Sequence, residues 1–279
     1  MQFHNRIHFL SDQTKSQMMS FLIEMADGSI IVIDGGVQGD AEHLLGALRR
    51  ITGQEKPYVD AWFLTHCHID HIGALIELLE KNGEDFSIGK VYCSFPPLEV
   101  LRRHETRWYK ECTLFQGILP KIAEIIETPQ TGDRYCIGEA VFDVLYTVDE
   151  TITQNVINNS SMVFRMTLGG QTVLFLGDMG IEAGRQLLSV YADKLHSDFV
   201  QMAHHGQEGV EKDVYKAIAP SACLWCTPKW LWDNDAGKGY NTHTWQTVIV
   251  RGWMEELGVK HHFVSKDGDH VIELPYCFE

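Results

Sequence analysis

The chain has 279 residues, of which 44% are hydrophobic and 22% charged, an ordinary composition with ample material for a core. Its 23 basic and 38 acidic side chains give a net charge of −15, which disfavours nucleic acid as a partner. The seven scattered cysteines, the absence of any apolar run of about 18 residues and an N-terminus without a signal-peptide core favour a reduced, cytoplasmic protein that does not enter the membrane.

The N-terminal part predicts a β-hairpin followed by alternating helices and strands. Apolar segments at 19–25 and 30–34 flank the turn sequence Ala26-Asp27-Gly28-Ser29. A helical pattern covers 40–52, a buried strand 58–64, and a second helical pattern 72–80. From about 94 to 130 the pattern changes to two helical stretches, the first of them rich in Arg, His, Trp and Tyr. We interpret this segment as a helical insertion that covers one side of the functional site.

Strands resume after the insertion. We predict strands at 140–146, 162–168, 171–176, 198–203, 222–226, 261–265 and 270–274, with helices at 181–193, 211–218 and 244–257. Each half therefore combines a hairpin or meander with alternating helices and strands. That order favours a single domain, residues 1–279, with two mixed sheets stacked face to face and helices outside them.

The most specific motif is Thr65-His66-Cys67-His68-Ile69-Asp70-His71, directly after the strand at 58–64. Extended geometry would place His66 and His68 on one side, with Asp70 and His71 at the turn into the next helix. Three imidazoles and a carboxylate within six residues suit zinc or a similar metal. A polar surface loop is the alternative, but burying four such side chains by accident would be costly.

Two further motifs follow predicted strands. Asp178 comes after an apolar strand, where it serves either as a metal ligand or as the cap of the next helix. The pair His204-His205 follows another strand and, taken alone, could be structural. Because all three motifs lie at strand carboxyl ends, where α/β folds gather their sites, we expect them to converge and to supply enough ligands for two metals.

These segments resemble the metallo-β-lactamase superfamily, with its HxHxDH signature, a strand-end Asp and a later strand-end His. The resemblance implies a four-layer αββα sandwich in which His66 and His68 bind one metal and Asp70 and His71 the other. It also implies that Asp178 bridges the two metals and that His205, which directly precedes a glycine, completes the second site, with His204 as the alternative.

Many members carry another metal-binding His before the strand-end Asp, but residues 155–161 (NVINNSS) contain none. This NNSS-like segment resembles a subgroup related to the soluble domain of bacterial DNA-uptake channel proteins. The first metal would then be held by His66, His68 and Asp178 with water or an Asn oxygen, which still suits a catalytic zinc site.

The resemblance implies a hydrolase that uses a metal-bound hydroxide and two divalent ions, zinc first, with manganese or iron as alternatives. We expect Asp70 to orient the attacking water, His243 to hold substrate or protonate a leaving group, and Asn159 and Tyr240 to contact a small-molecule substrate. Phosphoesters or phosphodiesters are the first expectation; a lactone, thioester or β-lactam, a redox reaction at iron, or metal binding without turnover are the alternatives. The sequence leaves the oligomeric state open.

Overall fold

The computed structural model describes residues 3–279 and shows two seven-stranded sheets with helices on their outer faces. In chain order the strands are β1 (Arg6–Phe9), β2 (Ser20–Glu24), β3 (Ile30–Asp34), β4 (Tyr58–Leu64), β5 (Ser87–Cys93), β6 (Ile126–Glu127), β7 (Arg134–Ile137), β8 (Ala140–Tyr146), β9 (Val163–Leu168), β10 (Gln171–Phe175), β11 (Phe199–Gln201), β12 (Ala222–Trp225), β13 (His261–Val264) and β14 (His270–Glu273).

The helices connect these strands, mostly in the parallel part of each sheet. They are α1 (Ala41–Thr52), α2 (Ile69–Lys81), α3 (Leu98–His104), α4 (Tyr109–Ile122), α5 (Val156–Asn159), α6 (Ile181–Tyr191), α7 (Lys212–Ile218), α8 (Lys229–Trp232) and α9 (Thr247–Glu256). Among the described residues, no helix is both long and apolar enough to cross a bilayer.

Each sheet has an antiparallel half and a parallel half. The first sheet has the order β14-β1-β2-β3-β4-β5-β6, and its strands run parallel from β3 to β6. The second has the order β13-β12-β11-β10-β9-β8-β7, and its strands run parallel from β10 to β13. The carboxyl ends of parallel strands meet at one edge, so the loops after β4, β10 and β11 are available to build a site.

Three apolar layers hold the sandwich together: one between the sheets and one beneath the helices on each side. In β3, Ile31 and Ile33 contact the layer between the sheets while Val32 contacts the layer under the helices. Phe63 lies at the centre, with its ring centroid 4.6 Å from those of both Tyr92 and Phe142. Because these strands are buried on both faces, they appear in the sequence as continuous apolar runs.

The predicted αββα sandwich is confirmed. Most of the predicted helices and strands begin and end within a few residues of the bounds in the structure. One difference matters for the site: α2 begins at Ile69 rather than 72, so Asp70 and His71 lie in its first turn. In the insertion, α3 ends at His104 and α4 continues past Pro120. Strands β1, β5, β6 and β7 were not predicted; in β5, Gly89 and Lys90 interrupt the apolar pattern.

Candidate metal centre

Three loops bring histidine and aspartate side chains together between the two sheets. Residues 65–71 follow β4 of the first sheet, while Asp178 and His205 follow β10 and β11 of the second. Two groups of side chains result, and within each group one ligand atom per residue lies within 4.8 Å of the others. The groups share Asp178, so this carboxylate can bridge two ions.

The first group consists of His66, His68 and Asp178. Nε2 of His66 lies 3.1 Å from Nδ1 of His68 and 3.7 Å from Oδ2 of Asp178. His66 and Asp178 are buried, whereas His68 is partly buried. Two imidazoles and one carboxylate leave further coordination positions open, as in catalytic metal sites.

The second group consists of Asp70, His71, Asp178 and His205. Nε2 of His205 lies 3.1 Å from Oδ2 of Asp70 and 3.4 Å from Oδ2 of Asp178. Nε2 of His71 lies 3.3 Å from both Nε2 of His205 and Oδ1 of Asp178. Four ligand residues make this group the more complete of the two.

Hydrogen bonds on the far side of the rings hold the imidazoles in place. His71 donates from Nδ1 to Oδ2 of the buried Asp34 over 2.7 Å, and His205 donates from Nδ1 to the carbonyl of Cys226 over 2.9 Å. Nδ1 of His66 lies 3.1 Å from Oγ of Thr65, whose hydroxyl donates to Asp34. Each Nε2 is therefore directed at the shared space, the arrangement by which carboxylates and carbonyls orient metal-binding histidines.

The two groups differ in charge. Burial opposes protonation of His205, but Asp178 and Asp70 outweigh it and raise its pKa to about 9. Burial also opposes protonation of His71, yet the carboxylates of Asp178 and Asp34 raise its pKa well above the usual value. In the first group, burial lowers the pKa of His66 well below its usual value and that of His68 to about 4.

The cluster fits divalent ions. Despite burial, the histidines hold the pKa of Asp178 well below its usual range, so its carboxylate is ionised. Its Oδ1 is buried without a hydrogen-bond donor, although His71 lies 3.3 Å away. A buried carboxylate oxygen that has no donor and faces imidazole nitrogens is satisfied by a metal cation. The separation of the ligand atoms allows the side chains to surround one ion per group.

Asp178 reaches this position through a tight turn after β10. Gly177 has φ of +56°, and a Cβ there would lie 2.9 Å from Cβ of Thr65. The backbone amide of Asp178 donates a hydrogen bond to Oγ of Ser161 over 3.0 Å. The backbone amides of Leu176 and Gly177 both donate to Oε1 of Gln201. Two loops thus meet at a position that only glycine fits without strain.

A cavity of about 360 Å³ opens on the cluster. His68, Asp70 and Asp178 face it from the metal groups, and so does His204, the alternative ligand of the sequence analysis. The sequence did not assign the other lining residues Ser16, Gln17, Ile69, Glu111, Asn155 and Asn158. Trp108, which the sequence placed in the insertion, also lines it, with its ring centroid 5.8 Å from that of His68.

His204 and His205 take different positions although they are neighbours. Both have left-handed backbone conformations, with φ of 50° and 56°, a strain that non-glycine residues accept mainly at functional sites. His205 belongs to the second group, whereas His204 donates from Nδ1 to the carbonyl of Glu208 and directs Nε2 to within 3.9 Å of Asp178. His204 therefore lines the cavity beside the metal groups.

The structure does not bring three of the predicted site residues to the cavity. The side chain of Asn159 bonds to the carbonyl of Gln154, to Glu182 and to the amide of Ala183, so it caps α6. His243 is exposed and stacks on Trp245, with ring centroids 3.7 Å apart, and Tyr240 is 60% exposed. None of the three lines the cavity described here; Asn158 and His204 occupy those places.

Comparisons with known proteins agree with this geometry. The metallo-beta-lactamase superfamily model matches residues 14–129, which include the HxHxDH segment. ComE operon protein 3 of Bacillus subtilis (strain 168) is 28% identical over 160 residues, 57% of this chain and 18% of that protein. This chain thus matches less than a fifth of that relative's length.

Solved structures show the same fold across nearly the whole chain. The metallo-beta-lactamase fold protein YhfI from Bacillus subtilis is 15% identical, with a TM-score of 0.55 over 96% of this chain and 99% of its own. CmlA, a diiron beta-hydroxylase from Streptomyces venezuelae, is 13% identical, with a TM-score of 0.60 over 97% of this chain and 54% of its own. The predicted resemblance to the metallo-β-lactamase superfamily and the predicted fold are confirmed.

Proposed function

We propose that the chain, which has the metallo-β-lactamase fold, is a binuclear metal-dependent hydrolase of phosphoesters or phosphodiesters. The observation that carries the proposal is the sharing of the buried Asp178 carboxylate between two groups of ligands. Two ions about 3.5–4 Å apart suit an in-line displacement, because together they stabilise the attacking and leaving oxygens.

The side chains have distinct roles in this proposal. His66, His68 and Asp178 would hold one ion, and Asp70, His71, Asp178 and His205 the other. When bound, the ions would lower the pKa of a coordinated water and polarise the scissile group. Asp70 lines the cavity and accepts a hydrogen bond from His205, so its carboxylate can orient the attacking water.

The cavity supports a small substrate. Its volume of about 360 Å³ lies at the lower end of the range typical of small-molecule sites, roughly 300–1,000 Å³. His204 lines the cavity, with Nε2 within 3.9 Å of Asp178. We propose that His204, rather than His243, is the histidine that contacts substrate. Trp108, directly before helix α4, and Glu111, in the first turn of that helix, also line the cavity.

Zinc is the first metal that we propose, because most ligands are imidazoles, with manganese or iron as the alternatives. The partner would be a small molecule in the cytoplasm rather than nucleic acid, since the net charge of −15 opposes binding to phosphate backbones.

Metal analysis coupled to a substrate panel tests the proposal. Purified protein should contain between one and two equivalents of transition metal and should hydrolyse aryl phosphomonoesters or phosphodiesters. Asp178→Ala should lower the rate at least about a thousandfold, because it removes a ligand from both ions. Asp267→Ala removes an exposed aspartate and serves as the matched control.

Three results would count against the proposal. Hydrolysis confined to lactone, thioester or β-lactam substrates would move the reaction to another class. Metal binding without any turnover would make the chain a metal-binding protein. Wild-type activity in Asp178→Ala would eliminate the two-metal mechanism altogether.

A further inference from the structure

We infer that the side-chain amide oxygen of Asn158 is a ligand of the first metal, completing the set formed by His66, His68 and Asp178. The inference rests on the proposed two-metal centre and concerns a residue that the metal groups themselves do not include. It assigns to an asparagine the place that the sequence left to water or an unspecified Asn oxygen.

The state of the Asn158 amide is the first observation. The residue is only 3% exposed, and its Oδ1 is buried without a hydrogen-bond donor among the described residues. A buried amide oxygen normally has a partner, because leaving it unsatisfied is unfavourable. Asn159, its neighbour, has partners for both ends of its amide, so the lack of one at Asn158 is not a property of the whole loop.

The position of Asn158 is the second observation. It lines the same cavity as His68 and Asp178, the two members of the first group that reach this space. The segment that follows it is tied to both ligand-bearing loops. Ser161 accepts the amide hydrogen of Asp178 over 3.0 Å, and the amide of Met162 donates to the carbonyl of Thr65 over 2.8 Å. The segment that carries Asn158 is thus anchored to the loops that carry Asp178 and His66.

The ligand count is the third observation. The second group has four ligand residues and the first has three. An amide oxygen is neutral and harder than an imidazole nitrogen, so a set of two imidazoles, one carboxylate and one amide accepts manganese or iron more readily than a zinc-type site does. We therefore expect the first site to bind zinc more weakly than the second and to discriminate less against manganese.

Metal titration of the full chain after removal of bound metal tests the inference. Zn²⁺ or Mn²⁺ alone is added to the wild type and to Asn158→Ala and Asn158→His, and both dissociation constants are fitted from calorimetry. Asn158→Ala should raise the dissociation constant of the weaker site at least about tenfold, because even residues behind the ligands contribute 10–100-fold to affinity. The stronger site should change less than about twofold.

Asn158→His should have the opposite effect for Zn²⁺, because an imidazole would replace the weaker oxygen ligand. Asn82→Ala is the matched control: it removes a side-chain amide at the C-terminal end of α2, which does not line the cavity, and should leave both dissociation constants unchanged. The metal-free Asn158→Ala protein should melt at or above the wild-type temperature, because the substitution removes an unsatisfied buried oxygen.

Unchanged zinc and manganese affinities in Asn158→Ala would overturn the inference and, if hydrolysis also fell, would place the amide against substrate. A lower melting temperature of the metal-free variant with equal weakening of both sites would overturn it in favour of a structural role. Because the titration uses no substrate, a chain that binds metals as expected but hydrolyses nothing would refute the proposed function and leave the assignment of Asn158 standing.

Discussion

Loading the second metal group of the metal-free protein with zinc at pH 7 should release between one and two protons. Neighbouring carboxylates raise the pKa of His205 to about 9 and that of His71 well above its usual value, so protonation of each imidazole is favoured at pH 7. Each must lose a proton from Nε2 before it can bind a metal. The first group should release almost none, because burial holds the pKa of His66 and of His68 below neutrality.

The number of imidazoles in the second group and the distance between them limit the number of protons released. Two protons are the maximum, one from each imidazole. The lower limit of one applies because the Nε2 atoms of His71 and His205 lie 3.3 Å apart, and that contact opposes full charge on both. The release should decrease as pH approaches 9, and zinc affinity at this site should rise between about pH 6.5 and pH 9.

The same protons set the stability of the metal-free protein. The raised pKa of His205 contributes stability that is fully present below the unfolded value of about 6.5 and is lost as pH rises through about 9. The melting temperature of the metal-free protein should therefore fall over this interval, while saturating zinc stabilises the folded state by mass action.

Calorimetry in buffers of different ionisation enthalpy at one pH gives the number of protons released. Asp34→Asn is the informative variant, because it removes one of the carboxylates that keep His71 protonated and should lower the release by as much as one proton. It should also weaken zinc binding about 10–100-fold, since it disturbs the residue that orients a ligand. A release below about one proton in the wild type would refute the charge assignment.

Three further predictions concern other parts of the molecule. Gly177→Ala should destabilise the fold by about 1–3 kcal/mol in urea unfolding, because φ is +56° and the new Cβ would meet Thr65; unchanged stability would mean that the turn relaxes freely. Hydrolysis should fall only gently with added salt, and tight binding of duplex DNA at about 0.15 M salt in a filter assay would contradict a small substrate. Of the seven cysteines only the exposed Cys136 and Cys277 should react quickly with a thiol reagent in the native protein, and all seven after denaturation; fast reaction of the buried thiols without denaturant would refute this.

Much of the fold could be predicted from the sequence, because its strands are either buried on both faces or joined by clear turns. The bounds of β3, β4 and β8 match the prediction residue for residue. The shorter edge strands β6 and β7 carry no such signal, since their side chains are half-buried or exposed. Their existence depends on pairing with neighbours rather than on local pattern.

The candidate metal-binding residues were predictable because four of them lie within six positions and the others follow strong strands. The remainder of the site was not. Asn158 and Asn159 are adjacent in one helical turn, where successive side chains point about 100° apart. No local sequence pattern therefore shows which asparagine lines the cavity and which one caps α6. The role of Asp34 depends on the distance to His71, 37 positions away, which the fold alone determines.

His243 does not line the cavity for a similar reason. In the sequence, the loop before α9 looks like a connection that could reach the site. In the structure, Asn234 holds this loop: its backbone carbonyl accepts a hydrogen bond from the amide of His243, and its side-chain amide donates one to the carbonyl of His243. The imidazole then stacks on Trp245 at the surface. His204, which follows β11, does line the cavity. Its backbone adopts a left-handed conformation that sequence patterns do not reveal.

Because the ligands come from both sheets, bound metal would act as a reversible cross-link between the two halves of the sandwich. His71 and Asp178 are separated by 178 − 71 = 107 positions, so a metal that joins them closes a loop as long as those of the more effective disulfides. Residues 14–129 alone contain the HxHxDH segment but neither Asp178 nor His205. Neither half has both ligand groups on its own, so bound metal would add a further link between the sheets to the apolar layer that packs them together.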